Sequence, residues 1–427
     1  MNAKITAASG AERRVDLDWV RIIAFGLLIF YHVGCFYSSI TPHDQALSPR
    51  TVPWLIVPML ALNPWRLLIL FIVSGAATRF MADKLTPGAL LRSRGLRLLP
   101  PLVLAIFVIV PPEGYVAVIE RLGYRGDYFH FLARYFADHR SLCLSAHCSG
   151  LPSYGHLWFV AYLFDYTLLL IALLVCAPAA LRRLQALFER ALRGWGLIVW
   201  PAAYLIATRI GLEHRFPQNY DFVHDWYANA TYLGGFLFGY LTARSEAVWS
   251  AFERVRRPAL IGAVSAYTLL IVSAIIALGA DFNWAPKVAA SQGSGWGVTP
   301  LLIYAGVLYG LDQWLWIAAA FGLARRHLSR RDGPARRYLT DAIFPFYIIH
   351  EVTITVGGHY LTRLGLPLGI EAATLLGVTT LSCFATYEAV RRVGWLRPFF
   401  GLKRLTVTRV AASSAKRDDL SAPMYER

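Results

Sequence analysis

Charge is what this sequence has least of. Only 16% of its 427 residues are charged, where an ordinary soluble domain carries roughly 25%, and 56% are hydrophobic. That shortage argues against a soluble enzyme. Acid is scarcer than base, 26 residues against 42, and the resulting +16 fits nucleic acid, an anionic surface or the inner loops of a membrane protein. No helix-turn-helix or single-strand-binding pattern accompanies the basic residues, which speaks against a nucleic-acid partner. Cysteine is also sparse. Cys35, Cys176 and Cys383 lie in apolar runs and read as packed core, whereas Cys143 and Cys148 share a polar loop and could pair in an oxidising compartment. With only His147 beside them and no second C-x2-C or His pair, four metal ligands do not assemble, so no metal is expected. No internal repeat links the two halves.

What is abundant is apolar sequence in runs of about 20 residues, the length that crosses a bilayer. Helices are expected at about 18–39, 54–82, 98–113, 155–178, 195–211, 226–243, 259–279, 299–324, 338–362 and 369–390, the second interrupted at Asn63-Pro64 and the ninth at Phe344-Pro345. Arg21 and His32 interrupt the first, and no small-residue cleavage site follows, so it is not a cleavable signal. Counting Lys and Arg on alternate sides places 31 inside and ten outside when the N-terminus is cytoplasmic. The expected fold is an all-α polytopic membrane bundle of about ten spans with both termini cytoplasmic. A cytoplasmic segment 1–15 leads into a membrane domain 16–395, and a basic tail 396–427 follows that has no apolar periodicity beyond Ala411.

Ionisable residues inside such spans are costly and therefore candidates for function. The spans or their ends hold Arg21, His32, Arg66, Asp165, Asp312, His350, Glu351, His359, Glu371 and Glu388. Glu371, Glu388, His359 and Arg209 lie near span ends, where snorkelling gives them a structural role. Arg21 and His32 are more informative. Eleven helical steps return to within roughly 20° of the starting direction, which puts both side chains on one face about 16 Å apart. Arg presents paired donors that match phosphate, and His takes a proton near neutrality. Such a pair suits a long anionic ligand with its head at the cytoplasmic mouth and its reactive end at the imidazole; the bland reading is an inner anchor and a core histidine.

At these residues the chain resembles a family. Leu17-Asp18-Trp19-Val20-Arg21 followed by Tyr31-His32 is similar to the opening of the acyltransferase 3 family of integral membrane O-acyltransferases, marked by an Arg, ten residues and a His in the first span. Phe71-Ile72-Val73-Ser74-Gly75 resembles the Ser-Gly of its second span, and Arg94-Gly-Leu-Arg97-Leu-Leu-Pro100 its basic inner loop. His156-Leu157-Trp158-Phe159 and Phe344-Pro345-Phe346-Tyr347-Ile348-Ile349-His350 are similar to the branch of glucan biosynthesis protein C succinyltransferases. That branch tends to have His-Gln where this chain has His350-Glu351, which puts the acceptor or the proton path in doubt.

The resemblance implies transfer of an acetyl or succinyl group from cytoplasmic acyl-CoA to a hydroxyl of a carbohydrate beyond the inner membrane. It makes His32 the catalytic histidine and turns Arg21, Arg94 and Arg97 toward the donor. The chemistry is compatible: a thioester is already activated, so transfer needs a base, donors for the oxyanion and exclusion of water. His350, with Glu351 beside it, reaches a depth like that of His32 and is a candidate second base, oxyanion donor or acceptor ligand. Asp165 and Asp312, about mid-span, could orient an imidazole or meet substrate. His156 and Trp158, at the outer end of the fourth span, could meet a sugar, although Trp is also an ordinary interface anchor. A proton-coupled carrier is the rival class; the missing repeat argues against it. The sidedness is testable. A reporter fused after Arg193 or Arg337 should be cytoplasmic and one inserted near Ser149 external; finding both on one side would break the ten-span arrangement.

Overall fold

The computed structural model describes residues 14–38, 48–137, 152–219, 221–282, 284 and 300–404, and Cys143 and Cys148 lie outside them. Among the described residues every regular element is helical. The first helix, α1 (Val15–Tyr37), carries Asp16 and Asp18 in its first turn, where the positive end of the helix dipole favours carboxylates. Seven more are α2 (Ile56–Ala82), α3 (Pro87–Leu104), α4 (Val110–Leu122), α5 (Tyr128–Ala137), α6 (Trp158–Cys176), α7 (Pro178–Ala191) and α8 (Gly196–Thr208). The chain continues through α9 (Trp226–Thr242), α10 (Glu246–Leu278), α11 (Pro300–Leu328), α12 (Pro334–Leu361) and α13 (Leu368–Arg392).

Among the described residues eight helical segments are long and apolar enough to cross a membrane. They include the first four expected spans and the last four. The fifth and sixth expected spans fall on α8 and α9, which have 13 and 17 residues. Helix α7 was not anticipated: it bends by 115° against the segment Gly196–Glu213 and has no buried residue. Its Arg182, Arg183 and Arg190 share a short helix with exposed Leu184 and Leu187, a composition suited to lying in the headgroup layer.

Proline does not break the helices that contain it. Pro64 lies inside continuous α2 and Pro345 inside continuous α12. Pro64 removes one N–H from the ladder, the one that would bind the Leu60 carbonyl, and at the same level Gln313 Nε2 of α11 donates to the Pro64 carbonyl at 2.6 Å and ties the two helices together. The third span is longer than the expected 98–113 and runs over Pro87–Leu122, with one π-turn, Ala105–Ile109, between α3 and α4. Pro111 and Pro112 have no N–H, and their rings press on the carbonyls four residues back, at Phe107 and Val108. Both lie in the widened turn.

Helix α1 packs against α2, α11 and α12, which makes it the axis of the bundle. Its N-terminal end meets the segments expected inside: Arg14 stacks 4.2 Å over Trp249, Trp19 donates to Arg331 O at 2.8 Å, and Asp18 pairs with Arg336, which also binds Asp332 at 2.8 Å. Elsewhere on the same end Arg244 bridges to Asp83 at 2.8 Å. The opposite end holds Arg50 paired with Glu371, and His359 Nδ1 at 2.5 Å from Glu120. The basic segments counted as inside thus gather at one end of the bundle.

Helices α2 and α9 approach until backbone meets backbone. A Cβ at Gly75 would lie 1.9 Å from the Phe236 carbonyl oxygen, and one at Gly239 would lie 1.9 Å from that of Ile72. Small residues at such crossings let membrane helices pack without a hydrophobic driving force. Gly75→Val should therefore separate the pair at a cost on the order of 1–3 kcal/mol or more, read as a clear fall in the thermal midpoint of the purified protein. Gly26→Ala, where nothing lies within 4 Å of the added Cβ, should be neutral; equal behaviour of the two variants would remove the crossing from the account.

Candidate active site

Two helices supply the centre. Helix α1 carries His32, and α12 carries the adjacent His350 and Glu351. The His32 Nδ1 lies 2.7 Å from Glu351 Oε2, and His350 Nε2 lies 3.6 Å from the same oxygen. The two imidazoles meet edge to face at 5.2 Å. His350 and Glu351 are 1% and 2% exposed, while the His32 side chain keeps 12%. Burial of a carboxylate is tolerated only with hydrogen-bonding or charged company, which the imidazoles provide.

A second histidine–carboxylate pair backs the first. His156, in the short 3-10 turn Gly155–Leu157 that leads into α6, stands 5.5 Å from the His350 ring. Its Nδ1 is 3.2 Å from Glu113 Oε1 and its Nε2 3.1 Å from the Ile348 carbonyl. The Tyr347 hydroxyl donates to the His156 carbonyl, and the Tyr347 carbonyl accepts from His350 Nδ1 at 2.8 Å. That last bond fixes the His350 ring and leaves its Nε2 facing Glu351. Three imidazoles and two carboxylates therefore form one buried group spread over α1, α4, the turn before α6, and α12.

The arginines lie toward the other end of α1. Arg21 donates to the Thr340 carbonyl at 3.3 Å. Arg94 is buried, bonds to the Thr78 hydroxyl and reaches the Ser74 carbonyl at 3.3 Å. Arg21 and Arg97 both stand near enough for their charges to act on Arg94, and Arg97 feels Asp341. Beside Asp341 opens a pocket of about 340 Å³ lined by Tyr387, Arg391, Arg392, Arg397 and Leu402. A concentration of cations with few acids suits a polyanionic ligand.

Three candidates from the sequence lie elsewhere. Trp158 packs against Phe71, Tyr162 and Tyr232 in the apolar core. Asp165 does not reach an imidazole, because nine residues after His156 on a helix amount to about two and a half turns, which leaves it on the opposite face. Asp312 is fully buried on α11, next to Trp316. The carboxylates beside the three imidazoles of this site are Glu351 and Glu113 instead. Glu113 was missed, although its place in Pro111-Pro112-Glu113 at the outer part of a span was a legible signal.

His32, His350 and Glu351 each offer one donor atom, all within 4.8 Å of one another, so a divalent ion could be held there. The arrangement also has what acyl transfer requires: a histidine oriented at one ring nitrogen, with its other nitrogen left for a proton, in a site largely closed to water.

Comparison with curated proteins and with solved structures gives no match. The acyltransferase domain of the acyltransferase 3 family matches residues 14–388, and this match takes in α1 through almost all of α13, both histidine–carboxylate pairs and the three arginines. The chain belongs to that family and is a multi-pass membrane acyltransferase.

Proposed function

We propose that the protein moves an acetyl or succinyl group from cytoplasmic acyl-CoA to a hydroxyl of a carbohydrate on the far side of the inner membrane, with His32 as general base. The observation that carries this reading is the 2.7 Å contact between His32 Nδ1 and Glu351, on the helix that also bears Arg21. A carboxylate at Nδ1 holds the tautomer in which Nε2 is bare and stabilises the imidazolium that forms. Nε2 takes the proton of the acceptor hydroxyl, and the oxygen attacks the thioester carbonyl. The tetrahedral intermediate then expels the coenzyme thiolate as the carbon–sulfur bond breaks, and the proton on His32 passes to that sulfur. No proton is gained or lost overall, so the buried site can run the cycle without bulk water.

His350 is fixed by Tyr347 and packed edge to face on His32, which makes it a positioning residue for the His32 ring. Arg21, Arg94 and Arg97 are assigned to the phosphates of the coenzyme. A thioester spans the distance from that mouth to His32, roughly 16 Å as eleven helical residues measure it, through its extended pantetheine arm.

His32→Ala should lower acyl transfer by about 10²-fold to 10⁴-fold, the share credited to a general base, while donor binding and membrane insertion persist. Glu351→Gln should cut kcat with little change in KM, since it acts through His32. Both are read by release of free thiol from acyl-CoA. Near-wild-type rates in His32→Ala would move the base elsewhere, His350 first. If the protein instead moves a solute without consuming thioester, the carrier reading replaces this one.

Replacing Arg21, Arg94 or Arg97 by Gln should weaken equilibrium binding of coenzyme A, and Lys should restore it only in part where the contact is bidentate. Unchanged affinity in all three variants would return them to the charges that set topology.

A further inference from the structure

One cation in the bundle has no use in the mechanism above. Arg66, in the middle of α2, is 3% exposed. Its Nε and Nη1 are buried without a hydrogen-bond partner, and no carboxylate among the described residues forms an ion pair with it. The guanidinium carbon rests 3.4 Å over the ring of Tyr31, whose hydroxyl donates to Asn63 Oδ1 at 3.0 Å. Glu351, the carboxylate of the same region, is turned to His32. The charges of Arg66 and Glu351 both act on Cys35, one helical turn beyond Tyr31.

Arg keeps its proton in proteins, and an uncompensated charge at this depth is costly. A ring face offsets part of that cost but leaves the Nε and Nη1 donors of the guanidinium unused. Each is a charge-assisted donor of the kind that binds a carboxylate. They also lie near the reacting centre. Tyr31 and His32 have ring centroids 5.3 Å apart, so the imidazole lies within about 9 Å of the guanidinium.

On the reading of His32 as base, we infer that Arg66 is the anion-binding residue of the acyl pocket and selects donors whose acyl group ends in a carboxylate. The guanidinium stands no more than about 9 Å from the imidazole, so a carboxylate held about 2.8 Å from it and a carbonyl under attack beside the His32 ring are separated by a short interval. A four-carbon dicarboxylic half-acyl group fits that interval. An acetyl group leaves Arg66 as bare as it is now. A neutral chain of equal length would bring apolar atoms against a charge.

The test uses purified full-length protein and two donors of the same length, succinyl-CoA and butyryl-CoA, measured for equilibrium binding without acceptor. Wild type should bind succinyl-CoA about tenfold to a hundredfold more tightly, the range expected of a hydrogen bond to a charged group. Arg66→Met should abolish the difference, and Arg66→Lys should keep part of it. Equal affinities in wild type overturn the inference whatever the variants do, so a variant that fails to fold does not shield it. A preference that survives in Arg66→Met moves the carboxylate to another residue and also overturns it. If wild type shows no preference yet releases thiol from acyl-CoA, the acyltransfer reading stands and only the role of Arg66 falls. If wild type binds neither donor, both fall. A carboxylate carried by the acceptor rather than the donor would appear as equal donor affinities together with an acceptor KM raised in Arg66→Met, and that result likewise overturns the inference.

Discussion

A buried carboxylate must have company, and the company Glu351 keeps decides how this bundle is built. Its oxygen faces His32 on α1 and His350 on its own helix, so α1 and α12 cannot slide or rotate relative to one another without exposing a charge to hydrocarbon, where each uncompensated group costs several kcal/mol. The same two helices are tied at their other end by Arg336 with Asp18 and Asp332. Between these two polar ties Arg21 donates to the Thr340 carbonyl, and Phe25 meets Tyr347 edge to face. The polar groups fix register while van der Waals packing supplies adhesion, a division of labour that bundles in lipid require because lipid is as apolar as the helix faces.

The second pair, His156 with Glu113, extends the constraint to α4 and α6. It gives the site walls made largely of helices rather than loops, and an imidazole held by packed helices keeps its aim. Tyr31 packs on His32, and Tyr347 on both His156 and His350, so aromatic rings occupy much of the space beside the imidazoles.

Much of this was legible in the sequence, for reasons that can be named. Span lengths follow from bilayer thickness, and the eight long spans are where the apolar runs put them. The Arg21 and His32 spacing placed both on one face of α1, and the neighbouring His350-Glu351 pair was marked by being ionisable in an apolar run. What was not legible is rotational phase between helices. Asp165 and Asp312 satisfied the same rule of buried charge, yet one lies across α6 from His156 and the other beside Trp316. Glu113 passed unnoticed at the outer part of its span, and α7 did so because its amphipathic pattern is too short to stand out from the apolar runs on either side.

The π-turn at Ala105–Ile109 accommodates one residue more than a regular helix would, and each residue of a helix is worth about 100° of rotation. Below the turn the helix shows Leu90, Arg94 and Leu98 to the bundle; above it, Val110, Val116 and Ala117 are buried and Glu113 meets His156. The turn therefore works as a gear between two halves of one rod. One half is indexed to the buried arginines and the other to the histidines, and each can keep its own angular setting. A single-residue deletion within the turn would leave the span long enough to cross, yet swing Glu113 away from its imidazole by more than a quarter of a revolution.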